Sequence, residues 1–80
     1  MIDLNEKREK QYKMIGLNIS YHRKKKGLTQ IQLAEAANIS RTHVSNLEAP
    51  NVKTSISLET LLDIAEALDV TAAQLLDFER

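Results

Sequence analysis

Eighty residues allow one domain with a modest core and leave little room for a deep active-site cleft. The absence of cysteine excludes disulfide staples and thiolate metal sites, and with only Tyr12, Tyr21 and Phe78 aromatic the core has to be aliphatic. The 11 basic and 11 acidic residues cancel unevenly: residues 1–26 carry eight Lys or Arg against three acids, and residues 54–80 carry one Arg against six acids. A chain polarised in this way can offer one face to phosphate and turn another away.

No stretch nears the ~18 apolar residues of a membrane span. The charges at the N-terminus are not followed by the apolar run of a signal peptide, so a cytoplasmic location is expected. Two Gly and one Pro argue for helices joined by short turns. Residues 1–10 are polar apart from Ile2 and Leu4, and make an N-terminal arm or an extension of the first helix. Tyr12, Ile15, Ile19 and His22 then recur at three- and four-residue steps, one stripe of a helix. That helix should stop at Lys24-Lys25-Lys26-Gly27, because cations favour a last turn and glycine accepts the left-handed cap. Thr29 and Gln32 form a capping box that opens a short second helix at Gln30, with Ile31, Leu33, Ala34 and Ala37 as its apolar positions. Asn38 tolerates a left-handed backbone and marks a tight turn. Ser40 caps a third helix over residues 41–48, with Val44 and Leu47 facing inward, and Pro50 bars its continuation. After a polar loop at 49–56, Ser57 caps a fourth helix whose apolar positions are Leu58, Leu61, Leu62, Ala65 and Leu68. Asp69-Val70 turns the chain, and Thr71 with Gln74 forms a second capping box, opening a short fifth helix with Leu75, Leu76 and Phe78. No strand pattern, repeat or low-complexity tract interrupts this series.

Two short helices joined by a three-residue turn are the core of a helix-turn-helix. Counting Gln30 as the first position, Ala34 is the fifth, where two crossing helices demand a small side chain, and Asn38 is the ninth, where the backbone turns sharply. Leu33, Ala37, Ile39, Val44 and Leu47 occupy positions 4, 8, 10, 15 and 18, all apolar as a shared core requires.

The segments Gly27-Leu28-Thr29-Gln30, Leu33-Ala34, Ile39-Ser40 and Val44-Ser45-Asn46-Leu47-Glu48 strongly resemble the lambda-repressor-like helix-turn-helix family. This is the phage repressor and Cro type, also called the xenobiotic-response-element type. Residues 57–62 and 65–68 resemble its fourth helix, and the likeness runs over about residues 15–77. The resemblance implies an all-α, five-helix bundle in which residues 11–80 are a DNA-binding domain, the motif spans 29–48, and the third helix enters the major groove. It further implies that Gln30 grips the DNA backbone and braces the third helix, and that Lys53 touches backbone. Arg23 and Glu48 stand where the family forms an ion pair between the first and third helices. Two positions depart from the pattern: Asn38 stands where the family usually has Gly, and His22 where it often has Leu.

The outer face of the third helix offers Arg41, Thr42, Ser45 and Asn46, with His43 toward its edge; all are polar and none is acidic. A groove-reading helix needs such a surface, because phosphates repel carboxylates. Arg41 can bridge O6 and N7 of guanine, Asn46 can pair with N6 and N7 of adenine, and Thr42 can meet a thymine methyl or donate its hydroxyl. These three are the expected base contacts. Thr29, Gln30, Ser40, His43, Ser45 and Lys53 are the expected backbone-contacting or supporting residues.

The expected function is sequence-specific recognition of double-stranded DNA by a transcriptional regulator, a repressor or controller protein, associated with the nucleoid through its DNA. One helix covers few base pairs, so a homodimer on a palindromic operator is expected, with half-sites ~34 Å apart. Leu75, Leu76 and Phe78 are the candidate dimer contacts. No cofactor or small-molecule ligand is expected, and His22 and His43 lack the third ligand of a metal site. An enzyme is not expected: no nucleophile–base pair or phosphate-cradling Gly loop is present, and Glu59 and Asp63 read as solvated surface. The alternative is a protein-interaction module on the same fold, such as an antitoxin-like partner-binding protein, which the zero net charge and the N-terminal arm suit.

Overall fold

Helix α1 (Leu4–Lys26) sets the long dimension of the molecule: its 23 residues span about 34 Å, within principal extents of 41 × 24 × 20 Å. The computed structural model describes residues 3–79; Met1, Ile2 and Arg80 lie outside them. Along the described chain α1 is followed by α2 (Gln30–Ala37), α3 (Arg41–Glu48), α4 (Leu58–Leu68) and the single turn α5 (Ala72–Leu75). Residues 4–10 are part of α1 itself, whose N-terminus is capped by the Asp3 carboxylate accepting the N–H of Asn5 at 2.9 Å.

Side-chain caps start the other helices. Thr29 and Thr71 each close a complete capping box, with Gln32 and Gln74, and the hydroxyls of Ser40 and Ser57 accept the N–H groups of His43 and Thr60. Three helices stop by one device. Gly27, Asn38 and Asp69 adopt the left-handed conformation, at φ 80°, 56° and 60°. The N–H of the next residue then reaches back to the final turn: Leu28 to Arg23, Ile39 to Ala34 and Val70 to Ala65, each at 3.0 Å. Leu28, Ile39 and Val70 are all apolar and pack on the core, so each stop also directs a side chain inward.

The core is aliphatic: Ile15 and Ile19 from α1, Leu33, Ala34 and Ala37 from α2, Val44 and Leu47 from α3, Leu61, Ile64, Ala65 and Leu68 from α4, and Leu75 from α5. Helix α2 packs against α3 and α4, and α1 packs chiefly against α3. Half-buried Tyr12 and His22 flank the α1 stripe, and the His22 ring meets Tyr21 edge-on at 5.0 Å. The apolar faces of two helices differ from expectation. In α4 the buried stripe is Leu61, Ile64, Ala65 and Leu68, while Leu58 and Leu62 are 69% and 50% exposed. Ile64 extends that stripe on the side away from 58 and 62, which leaves those two on its far margin. In α2, Ile31 lies roughly opposite Leu33 and Ala37 and is likewise exposed.

A correction also applies at the C-terminus. Leu75 is fully buried in the core of the single chain, so it closes the bundle and is not available to a second copy; Leu76 is 45% exposed and Phe78 half-buried. The cause lies in α1, where buried Asn18 donates from Nδ2 to the carbonyls of Leu75 and Asp77, both at 2.9 Å. Lys26, at the solvated end of α1, adds another tie by donating to the Ala67 carbonyl in the last turn of α4 at 3.0 Å. Among the described residues no helix is long and apolar enough to cross a membrane.

Candidate nucleic-acid interface

The orientation of α3 follows from two of its eight residues. Val44 and Leu47, one turn apart, are buried against α1 and α2, which turns the opposite side of the helix outward. Arg41 and Thr42 are exposed there, and His43, Ser45 and Asn46 are half-buried. The first turn of α3 carries no acid. Glu48, its one carboxylate, is drawn inward.

That carboxylate organises the site. Glu48 accepts Nε and Nη2 of Arg23 at 2.8 and 2.9 Å, a two-pronged pair between α1 and the end of α3. It also accepts Nε2 of Gln30 at 3.2 Å, and Arg23 Nη1 donates to the Leu28 carbonyl at 2.8 Å. Hydrogen bonding to Glu48 raises the guanidinium pKa above its ordinary value against the opposing effect of burial, so the cation is held. Both side chains are nearly enclosed, at 11% and 6% exposure, so this network is a rigid joint rather than a surface ion pair. It fixes α3 against α1 and against the start of α2.

The expected supporting residues have distinct placements. Gln30 sits at the first position of α2 and braces α3 through Glu48. The hydroxyls of Thr29 and Ser40 accept the cap hydrogen bonds from Gln32 and His43, both at 3.0 Å, and each retains its own proton to donate outward. Lys53 lies in the loop after α3 and pairs with Glu9 of α1 at 3.0 Å, with its side chain 82% exposed. The acids of α4 gather elsewhere: Glu59, Asp63 and Glu66 line a surface depression beside residues 36–38 at the end of α2. Among the described residues no group of three His, Cys, Asp or Glu is placed to hold a metal ion.

Two residues that position α3 and α5 escape the sequence reading. Gly16 is buried in the middle of α1, and a Cβ there would collide with the Leu47 carbonyl oxygen and lie 3.2 Å from its carbon. The backbones of α1 and α3 therefore touch at this point. Its signal was a glycine inside an otherwise helical run, where it costs about 1 kcal/mol relative to Ala unless packing requires it. Asn18 is the other, visible only as a polar residue beside the apolar stripe.

Comparison with known proteins agrees with this geometry. A family model described as helix-turn-helix matches residues 19–75. The chain is 38% identical over 64 residues to the HTH-type transcriptional regulator SinR of Bacillus subtilis, which covers 80% of this chain and 57% of that protein. It is 37% identical over 65 residues to the immunity repressor protein of Bacillus phage phi105, covering 81% of this chain and 44% of the repressor. The chain thus spans about half the length of these curated relatives. A crystal structure of SinR, a master regulator for biofilm formation, in complex with DNA superposes with a TM-score of 0.73 at 36% identity, over 79% of this chain and 98% of that one.

Proposed function

The chain belongs to the helix-turn-helix family, and on that premise we propose that it is a sequence-specific DNA-binding transcriptional regulator that inserts α3 into the major groove. The observation that carries this reading is the outer face of α3: a capped, rigidly jointed helix whose outward residues Arg41, Thr42, Ser45 and Asn46 are polar and free of acids. Arg41 and Asn46 are the residues of the right shape for two-pronged readout of guanine and adenine, and Thr42 for a thymine methyl. Thr29, Gln30, Ser40, His43, Ser45 and Lys53 then serve the phosphates or support the reading helix. The relatives are named a transcriptional regulator and an immunity repressor, which supports a repressor or controller role without chemistry.

A single α3 of eight residues reaches only a few base pairs, so the protein acts as a homodimer on a palindromic site. Leu76, exposed beside α5, and the outer part of Phe78 are the surfaces for that contact. The test of the reading helix is binding to the preferred duplex by Arg41→Ala and Asn46→Ala variants. Each should lose about 1–3 kcal/mol of binding and relax the preference at one base pair of each half-site. Unchanged affinity and preference in both variants would remove α3 from the major groove.

A further inference from the structure

At the end of α3 the molecule opens a second surface. A groove of about 600 Å³ begins at Leu47 and runs between loop residues 51–55 and the N-terminal half of α1. Its α1 wall is Asn5, Arg8, Glu9, Tyr12 and Lys13, spaced by three and four so that all five share one helix face. This stretch precedes residue 19, where the family match begins, so the common fold does not account for it. Three cations meet there, Arg8 and Lys13 from α1 and Lys53 from the loop. They face a single carboxylate, Glu9, which holds the Lys53 ammonium at 3.0 Å. Asn51, Thr54 and Ser55 add neutral hydrogen-bonding groups.

Position identifies the occupant. A helix is ~10–12 Å across with its side chains, and the major groove is ~12 Å wide, so a helix seated in it has phosphate strands along its margins. The basic groove starts at Leu47 in the last turn of α3 and is walled by the loop that leaves that helix. We propose that Arg8, Lys13 and Lys53 form a phosphate clamp that grips the DNA backbone flanking the half-site read by α3. This rests on the DNA-reading function proposed above. In the free chain Glu9 holds Lys53; on DNA a phosphate takes that ammonium, and the remaining carboxylate repels the strand and tempers affinity. Lys7 and Lys10, on the same stretch of α1, do not line the groove and serve as a charge-matched control.

The test follows binding of the full chain to a duplex of about two helical turns, recovered from a random pool, as a function of salt. Each phosphate contact adds about 0.9 to the slope of log K against log salt. The double variant Arg8→Ala, Lys13→Ala should lower that slope by nearly 2 and keep the base preference. Lys7→Ala, Lys10→Ala should keep the slope, and Glu9→Gln should bind severalfold tighter. All these side chains are partly or fully exposed on α1, and helical circular dichroism should be retained in every variant. Trimming the flanking base pairs should abolish the difference between the wild type and the groove variant. A groove variant with the wild-type slope, or equal losses from both lysine-bearing pairs, would overturn the clamp while sequence-selective binding survives. A wild type with no salt-dependent duplex binding would overturn the DNA-reading function and the clamp together.

Discussion

The two glycines of this chain are needed for different reasons, and the difference is measurable. Gly27 has φ 80° with nothing within 4 Å of where a Cβ would stand, so Gly27→Ala meets only the backbone cost of a left-handed L-residue, about 1–2 kcal/mol. Gly16 is the reverse: its helical backbone suits alanine, but the added Cβ strikes the Leu47 carbonyl at the end of α3. The obstacle is backbone, which cannot swing aside, so Gly16→Ala should cost about 3 kcal/mol or more by urea unfolding. It should also weaken DNA binding beyond the loss of folded protein, because α3 must shift; full affinity in the folded fraction would contradict this. Asn18 is a donor case. Asn18→Ala leaves the Leu75 and Asp77 carbonyls without their amide and should cost about 1–3 kcal/mol in urea. Asn18→Asp should cost more, since a carboxylate facing two carbonyl oxygens has nothing to donate. Wild-type stability in both variants would mean that these hydrogen bonds do not anchor the C-terminal segment.

Among the elements, starts and stops were the most legible part of the sequence. Thr29, Ser40, Ser57 and Thr71 each mark a helix start through a hydroxyl that accepts a backbone N–H of the first turn, a local interaction that a few consecutive residues decide. Gly27, Asn38 and Asp69 mark the stops by the same logic. Which face a short helix buries was less legible. Leu58, Leu62 and Ile31 are as apolar as their buried neighbours, and only the positions of α1, α2 and α4 relative to one another expose them. The joint between elements is likewise a long-range matter: Glu48 gathers Arg23 and Gln30, residues 25 and 18 positions away. The family resemblance pointed to the Arg23–Glu48 pair and to Gln30 as a brace of α3, and the structure joins the two at Glu48 and adds the Leu28 carbonyl. Removing Glu48 strands a nearly buried guanidinium, so Glu48→Ala should destabilise by about 3–5 kcal/mol, read from the shift in the urea midpoint. A loss below about 1 kcal/mol, the range of a surface pair, would mean that the joint is solvated in solution.

At the scale of the molecule, zero net charge hides an arrangement. The outer face of α3 is free of acids, the acids of α4 sit beside the end of α2, and Arg8 and Lys13 of α1 line the groove that begins at the end of α3. The acid-free face was visible in the sequence because it lies within eight consecutive residues. The groove was not, because its two walls are some forty residues apart in the chain and meet only when Gly16 lets α1 and α3 touch. The burial of Leu75 was hidden for a similar reason, since α5 docks on α1 through Asn18. We propose that this arrangement reads a DNA sequence as a dimer. The most direct measurement is selection of bound duplexes from a random pool, with affinity for the winner followed against salt. A dimeric reader enriches a short palindrome with half-sites ~34 Å apart, and its affinity falls steeply as salt rises. No enrichment, with weak binding indifferent to sequence and salt, would instead make the outer face of α3 a surface for a protein partner.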